Sequence, residues 1–200
     1  MIFSSPPWDS VVYWALDLET GGLDARKDPI VAVGMVPLRE GTIRLGEAYR
    51  TLVRPEEGKR IDPRSVSAHQ LVQGEVREGP PLAEVLEEVD RRIRQGTLLV
   101  HNRGIDVAFL RRAFRSQGLG WPSPPVVDTV DLLVRAARRA RFTRPEHAAE
   151  VPELNLSSAR RQYGLPEYSA HDALTDAVAT AELFLVLRKV LRARTVRDLR

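Results

Sequence analysis

Along the first quarter of the chain, apolar positions come in short blocks separated by turn residues. Residues 11–18, 30–38 and 43–53 are rich in Val, Ile, Leu and aromatic side chains and are bounded by Gly, Pro or charge, which predicts β-strands. Short connections between them favour antiparallel neighbours. Pro37 has no amide hydrogen to give a ladder, so it predicts a strand end, an edge or a bulge. Helical spacing takes over at 63–73 and 82–95, the second with Leu82, Val85, Leu86, Val89 and Ile93 on one side. "TLLVHN" (97–102) reads as a short buried strand. A helix over about 105–117 follows, with Val107, Leu110, Ala113 and Phe114 facing inward. Beyond the Pro-rich turn "GWPSPP", the stretch "VVDTVDLL" predicts a strand running into a helix that reaches about residue 140. No period holds over 141–153, which predicts an exposed loop, and a short helix closed by Gly164 comes next. Residues 170–193 predict the longest helix, with Ala173, Ala177, Ala181, Phe184, Leu187 and Leu191 on one side. Three strands, then helices alternating with two more, predict an α/β domain on a mixed five-stranded sheet flanked by helices.

A length of 200 residues suits one domain. The expected division is a polar arm over 1–10, the folded domain over 11–193 and a basic tail over 194–200. With 43% apolar and 28% charged residues the composition is that of a globular protein, and no apolar run approaches the roughly 20 residues that span a bilayer, so no membrane partner is expected. The start, "MIFSSPPWDS", lacks the charged and apolar regions of a secretory signal. The absence of cysteine excludes disulfides and thiolate metal sites, and a cytoplasmic location is expected. The net charge of +3 comes mostly from arginine, since lysine occurs only as Lys27, Lys59 and Lys189. Arginine forks hold phosphate, so a nucleic-acid partner fits this charge.

The end of the first strand is where the pattern breaks. In "VVYWALDLETGG", Asp17 and Glu19 stand two positions apart, and period-2 geometry turns them to the same face. Burying a carboxylate costs several kcal/mol unless something pairs with it, and two close together repel. They must meet water or basic partners, or hold a cation. Asp106 lies at the start of the helix after "TLLVHN", where the C-terminal edge of an α/β sheet opens. Asp176 lies about a turn and a half into the last helix, with His171 at or just before its start.

Taken singly, each acid has a plainer explanation in solvation or helix capping. Asp172 is such a case, explained by the dipole of the helix it starts. His101 reads as a packed, hydrogen-bonded histidine, and His69 and His147 as surface residues without ligand spacing around them. Arg111, Arg112 and Arg115 read as the wet face of a helix, and the run from Arg188 to Arg200 as a positive helix end.

Taken together, "DLET", "HNRGIDVAFL" and "HDALTD" resemble the three exonuclease motifs of the DEDDh branch of 3′–5′ exonucleases. This is the DnaQ-like group that includes the proofreading epsilon subunit of bacterial DNA polymerase III. The resemblance covers roughly residues 11–190, and His171 excludes the branches with tyrosine in the third motif. It implies a ribonuclease H-like fold. It also implies that Asp17, Glu19 and Asp176 ligate metal, that Asp106 completes the site directly or through water, and that His171 is the general base. The chain departs from the usual motifs at Gly21, Arg103 and Ile105, which flank the site.

Phosphodiester cleavage needs a nucleophile, charge relief on the phosphoryl oxygens and a stabilised leaving oxygen. Two divalent cations about 3.5–4 Å apart supply all three, and oxygen ligands select Mg²⁺ or Mn²⁺. Imidazole titrates near neutrality, which suits His171 to take the proton of the attacking water. Leu18, Thr20, Leu23 and Phe109 are candidates to hold the last base, with Asn102 as a polar contact, by their nearness to the motifs.

The expected activity is release of nucleoside monophosphates from single-stranded 3′ ends, with DNA preferred, in repair, proofreading or processing. The rivals are an RNA-trimming member of the same branch and a non-catalytic nucleic-acid-binding or polymerase accessory module. About ten residues follow the last helix and no clamp-binding peptide is seen, so a freestanding nuclease is favoured over a polymerase subunit.

Overall fold

In the computed structural model, which describes residues 5–56, 58–59, 73–143, 151–169 and 171–200, the sheet starts from a long hairpin. Strand β1 (Tyr13–Thr20) pairs antiparallel with β2 (Ile30–Arg39), from Tyr13 opposite Leu38 to Thr20 opposite Ile30, with an irregularity between Glu19 and Thr20. Strands β3 (Thr42–Ile43) and β4 (Tyr49–Leu52) both pair antiparallel with β2 on its other side. Helices α1 (Gln73–Glu78) and α2 (Leu82–Ile93) lead into β5 (Thr97–Val100), which joins β1 in parallel. Helix α3 (Arg103–Ser116) then crosses to β6 (Val126–Asp128), parallel to β5. Helices α4 (Thr129–Thr143), α5 (Leu156–Gln162) and α6 (Ala173–Leu191) complete the chain's main elements.

The fold is therefore the expected ribonuclease H-like one, a mixed sheet flanked by helices, but with six strands in place of five. The strand read over 43–53 is divided by a 3₁₀ turn at Leu45–Glu47. Pro37 gives the physical reason. Its carbonyl accepts from the Arg44 amide at 2.9 Å, so its missing N–H faces the same side, and Val36 and Pro37 have no ladder partner there between Met35 opposite Tyr49 and Leu38 opposite Ile43. The break falls where β2 has no donor to offer. Leu45, counted as a strand residue, is 64% exposed. The helix expected over 63–73 lies outside the described residues except for residue 73, as do His69, His147 and residues 144–150 of the expected loop.

Alternation along β1 divides the core. Trp14, Leu16 and Leu18 face one layer, packed with Val85, Leu86, Val89 and Ile93 of α2 and Val107, Leu110 and Phe114 of α3. Tyr13 and Ala15 face the other, packed with Ala177, Ala181, Phe184 and Leu187 of α6 and Leu132 and Leu133 of α4. Near the termini, Pro7 pairs with Thr195, and Trp8 packs 6.2 Å from Phe184 with the Arg188 guanidinium 4.4 Å over its ring.

Candidate active site

Asp17 and Glu19 continue the face of Tyr13 and Ala15, so they point towards the layer in which α6 lies. On α6, Asp176 occupies the first turn and is 8% exposed. Carboxylate oxygens of Asp17, Glu19 and Asp176 lie within 4.8 Å of one another. Asp106 lies outside that group of three, but its charge acts on Asp17 from the other side. Strand β1 runs past β5, which pairs with it only as far as Ala15 opposite Leu99. Beyond that point the Leu18 amide would lack a partner, and Asp106 Oδ1, in the first turn of α3, accepts its hydrogen at 3.2 Å. The side chain is buried at 3% exposure.

The charges that act on these acids are mostly their own. Burial first, then the charges of Asp106, Glu19, Asp176 and Asp172, raise the Asp17 carboxyl well above the usual carboxylate range. Burial pushes Asp106 up to about 8, against the hydrogen bond from Leu18 and with help from the charges of Asp128 and Glu19. Asp176 is also raised by burial, despite the His171 amide that donates to its Oδ2 at 2.9 Å. Hard oxygen donors with no sulfur, from three elements and mutually repelling, are what a divalent cation fits: it replaces the protons that burial and repulsion otherwise retain.

His171 is exposed on the loop just before α6, with left-handed backbone at φ 72°. Its neighbour Asp172 is the N-cap of α6: Oδ1 accepts from the Thr175 amide at 3.0 Å and from the Thr175 hydroxyl at 2.9 Å. Asp172 Oδ2 is taken by Arg50 Nη2 at 2.6 Å. Both oxygens are thus engaged away from the cluster.

The five expected nucleotide contacts separate into two groups. Leu23 is 85% exposed in the turn after β1, and Asn102 is exposed in left-handed conformation at the N-cap of α3. Leu18 and Phe109 instead fill the core on the face opposite the acids, at 7% and 3% exposure. Thr20 is buried, its hydroxyl donating to the Gly22 carbonyl at 2.7 Å. His101 is the packed histidine expected, bonded through Nδ1 to the Thr129 hydroxyl and through Nε2 to the Leu154 carbonyl, each at 2.7 Å.

Two residues that shape the site were not singled out from sequence. Asp128, buried at the end of β6, accepts from the amides of Asn102 and Val130 through Oδ1 and from that of Arg103 through Oδ2, each at 2.9 Å. It thereby fixes the start of α3 and the approach of Asp106; the signal was an acid between a strand and a helix in "VVDTV". Gly34 lies opposite Asp17 on β2, under the start of α6. A Cβ there would stand 2.1 Å from the Ala173 carbonyl carbon. A glycine inside a strand was the available signal for such a close approach.

Fold and site together define a ribonuclease H-like domain with a carboxylate cluster suited to a cation. The exonuclease family RNase_T matches residues 14–184, and the chain belongs to that family, as its three motifs led one to expect. It is 34% identical over 189 residues to a DNA polymerase III subunit epsilon-like protein of Rhodobacter capsulatus, covering 94% of this chain and 25% of that protein. It is 28% identical over 179 residues to a PolC-type DNA polymerase III of Thermotoga petrophila, covering 89% of this chain and 12% of that one. Among solved structures, E. coli exonuclease I in complex with a dT13 oligonucleotide superposes with a TM-score of 0.77 at 20% identity, over 91% of this chain and 42% of that one. The chain therefore spans a quarter or less of the two polymerase relatives. Among the described residues, no helix is long and apolar enough to cross a membrane.

Proposed function

We propose that the chain is a divalent-metal-dependent 3′–5′ exonuclease that removes nucleoside monophosphates from single-stranded DNA ends. The meeting of Asp17, Glu19 and Asp176 within 4.8 Å, with Asp106 buried beside them, carries this reading. In it these four carboxylates hold two cations, Mg²⁺ or Mn²⁺, with Asp106 acting directly or through water. When bound, the cations supply charge relief on the phosphoryl oxygens and activate the attacking water. His171, exposed at the lip, accepts the proton of that water. The backbone bond from His171 to Asp176 ties the base to the ligand set. Leu23 and Asn102 touch the terminal nucleotide, while Leu18, Thr20 and Phe109 support the pocket from within.

Single-stranded DNA is supported by the exonuclease I structures, which hold dT13 and dA16 oligonucleotides. A DNA polymerase partner is supported by the names of the polymerase III relatives, and a cytoplasmic site of action accords with such substrates.

The test uses end-labelled single-stranded DNA and RNA of one sequence, incubated with Mg²⁺ or EDTA. Mg²⁺-dependent release of mononucleotides from DNA is expected, with resistance of a 3′-phosphorylated strand and none from a 5′ block. Asp17→Asn or Asp176→Asn should remove nearly all turnover, and His171→Ala should slow it about 10²- to 10⁴-fold. Digestion of a circular strand at the linear rate, or full activity in EDTA, refutes the proposal; faster attack on RNA changes the substrate.

A further inference from the structure

Three strands place three residues in one row. Asp17 on β1 is opposite Gly34 on β2, and Gly34 is opposite Arg50 on β4. Side chains in such a row leave the same face of the sheet. The row therefore presents a carboxylate, a gap and a guanidinium side by side. The first turn of α6 sits on the gap, since a Cβ on Gly34 would meet the Ala173 carbonyl oxygen and the Leu174 amide nitrogen at 2.2 Å. Asp176 of that turn reaches the Asp17 end of the row, within the carboxylate cluster. Asp172 reaches the Arg50 end, with Oδ2 2.6 Å from Nη2.

We infer that Arg50 is a positioning residue of the site: by holding Asp172 it seats the start of α6, and so places Asp176 and His171 against Asp17. A half-exposed ion pair contributes little to global stability. The Arg50 and Asp172 side chains are 58% and 34% exposed. The pair matters for where it acts. His171 holds a left-handed backbone at φ 72° between the loop and the N-cap, and its amide donates to Asp176 Oδ2. Asp172 divides its two oxygens between the helix cap and Arg50, so loss of Arg50 loosens the cap and leaves Asp172 Oδ2 to turn towards the cluster. Asp172 already adds to the repulsion felt by Asp17. Arg50 thus anchors the helix and keeps a fifth acid out of the cation site.

The kinetic part of the test rests on the exonuclease reading. The full chain is assayed on an end-labelled dT oligonucleotide as wild type, Arg50→Gln, Arg50→Lys, Asp172→Asn and the Arg50→Gln/Asp172→Asn double variant. Asn still caps a helix, so Asp172→Asn breaks the ion pair while leaving the cap. Misplacement of about 1 Å at a reacting centre costs up to about 10²-fold. Arg50→Gln should lower kcat about 10- to 100-fold with KM within about twofold, and Arg50→Lys should recover most of it. The double variant should be no slower than Asp172→Asn alone, because both remove one contact. Independently of activity, hydrogen exchange in the metal-free protein should quicken at the His171 and Thr175 amides in Arg50→Gln and stay unchanged in the strands. An unchanged kcat with unchanged exchange overturns the inference. A rise in KM that adds to the Asp172→Asn effect also overturns it, since Arg50 would then touch substrate directly. A wild type that degrades nothing counts against the exonuclease reading alone, and exchange still decides the role of Arg50.

Discussion

Replacing Asp106 by Asn removes one charge beside the cluster and keeps an oxygen for the Leu18 amide, so it isolates the cost of that charge. Burial moves the Asp106 carboxyl from 3.8 to about 8, chiefly by desolvation. At about 1.36 kcal/mol per pH unit, holding it ionised in the fold costs about 6 kcal/mol at most. The effective dielectric of a folded protein is well above that of a dry interior even at buried sites, which leaves about 2–3 kcal/mol as a working figure. The sign follows from linkage: an acid raised in the fold contributes its relative stability below its unfolded value, and that contribution is lost as pH rises through the folded one. Here the loss runs from about pH 4 to about pH 8. Metal-free wild type should therefore melt progressively lower from about pH 5 to about pH 9, and Asp106→Asn should fall less. By about pH 9 the variant should melt about 4–12 °C above wild type, at about 2–4 °C per kcal/mol for a domain of this size. Circular-dichroism melts in EDTA across that range measure it. A gap that does not widen with pH, or a variant that melts below wild type at the alkaline end, refutes the reasoning.

Cation binding should reverse the same repulsion. Mn²⁺ at about 100 times its Kd should stabilise the fold by about 2.7 kcal/mol, or roughly 5–11 °C, and the shift should vanish in Asp17→Asn/Asp176→Asn. That double variant, without metal, should melt no lower than wild type; retention of the whole shift would place the cation elsewhere. Gly34→Ala should destabilise by about 1–3 kcal/mol or more, because the added Cβ meets the backbone of Ala173 and Leu174 rather than a side chain that can swing away. The Mn²⁺ shift should shrink with it, since Asp176 rides on that turn. A Gly34→Ala protein with wild-type melting temperature and shift would show that α6 is not seated there.

How much of this was legible in the chain depends on the range over which each property is set. Periodicity over a few residues is a local matter, and it located β1, β2, β5, β6 and helices α2 to α6 to within a few residues. Parity along one strand is equally local, which is why spacing alone turns Asp17 and Glu19 to one face. The three motifs could likewise be read in order, because each occupies a few consecutive residues.

Pairing between elements distant in sequence decided the rest. Leu45 belongs to a strand-like apolar run, but the lack of a donor at Pro37 breaks the ladder beside it. Leu18 and Phe109 are near the motifs in sequence, yet packing turns them into the layer away from the acids. Asp172 and Asp176 stand four residues apart on one helix, and nothing in their spacing separates them. Arg50 on β4 and the gap at Gly34 do, by drawing Asp172 to one end of the row and leaving Asp176 at the other. That Asp106 stands beside the cluster likewise depends on β1 outrunning β5, which leaves the Leu18 amide open for its carboxylate. Residue order sets which way a side chain faces on its own element. Which side chain it then meets is set by how far each strand runs past its neighbour and how closely a helix can approach the sheet.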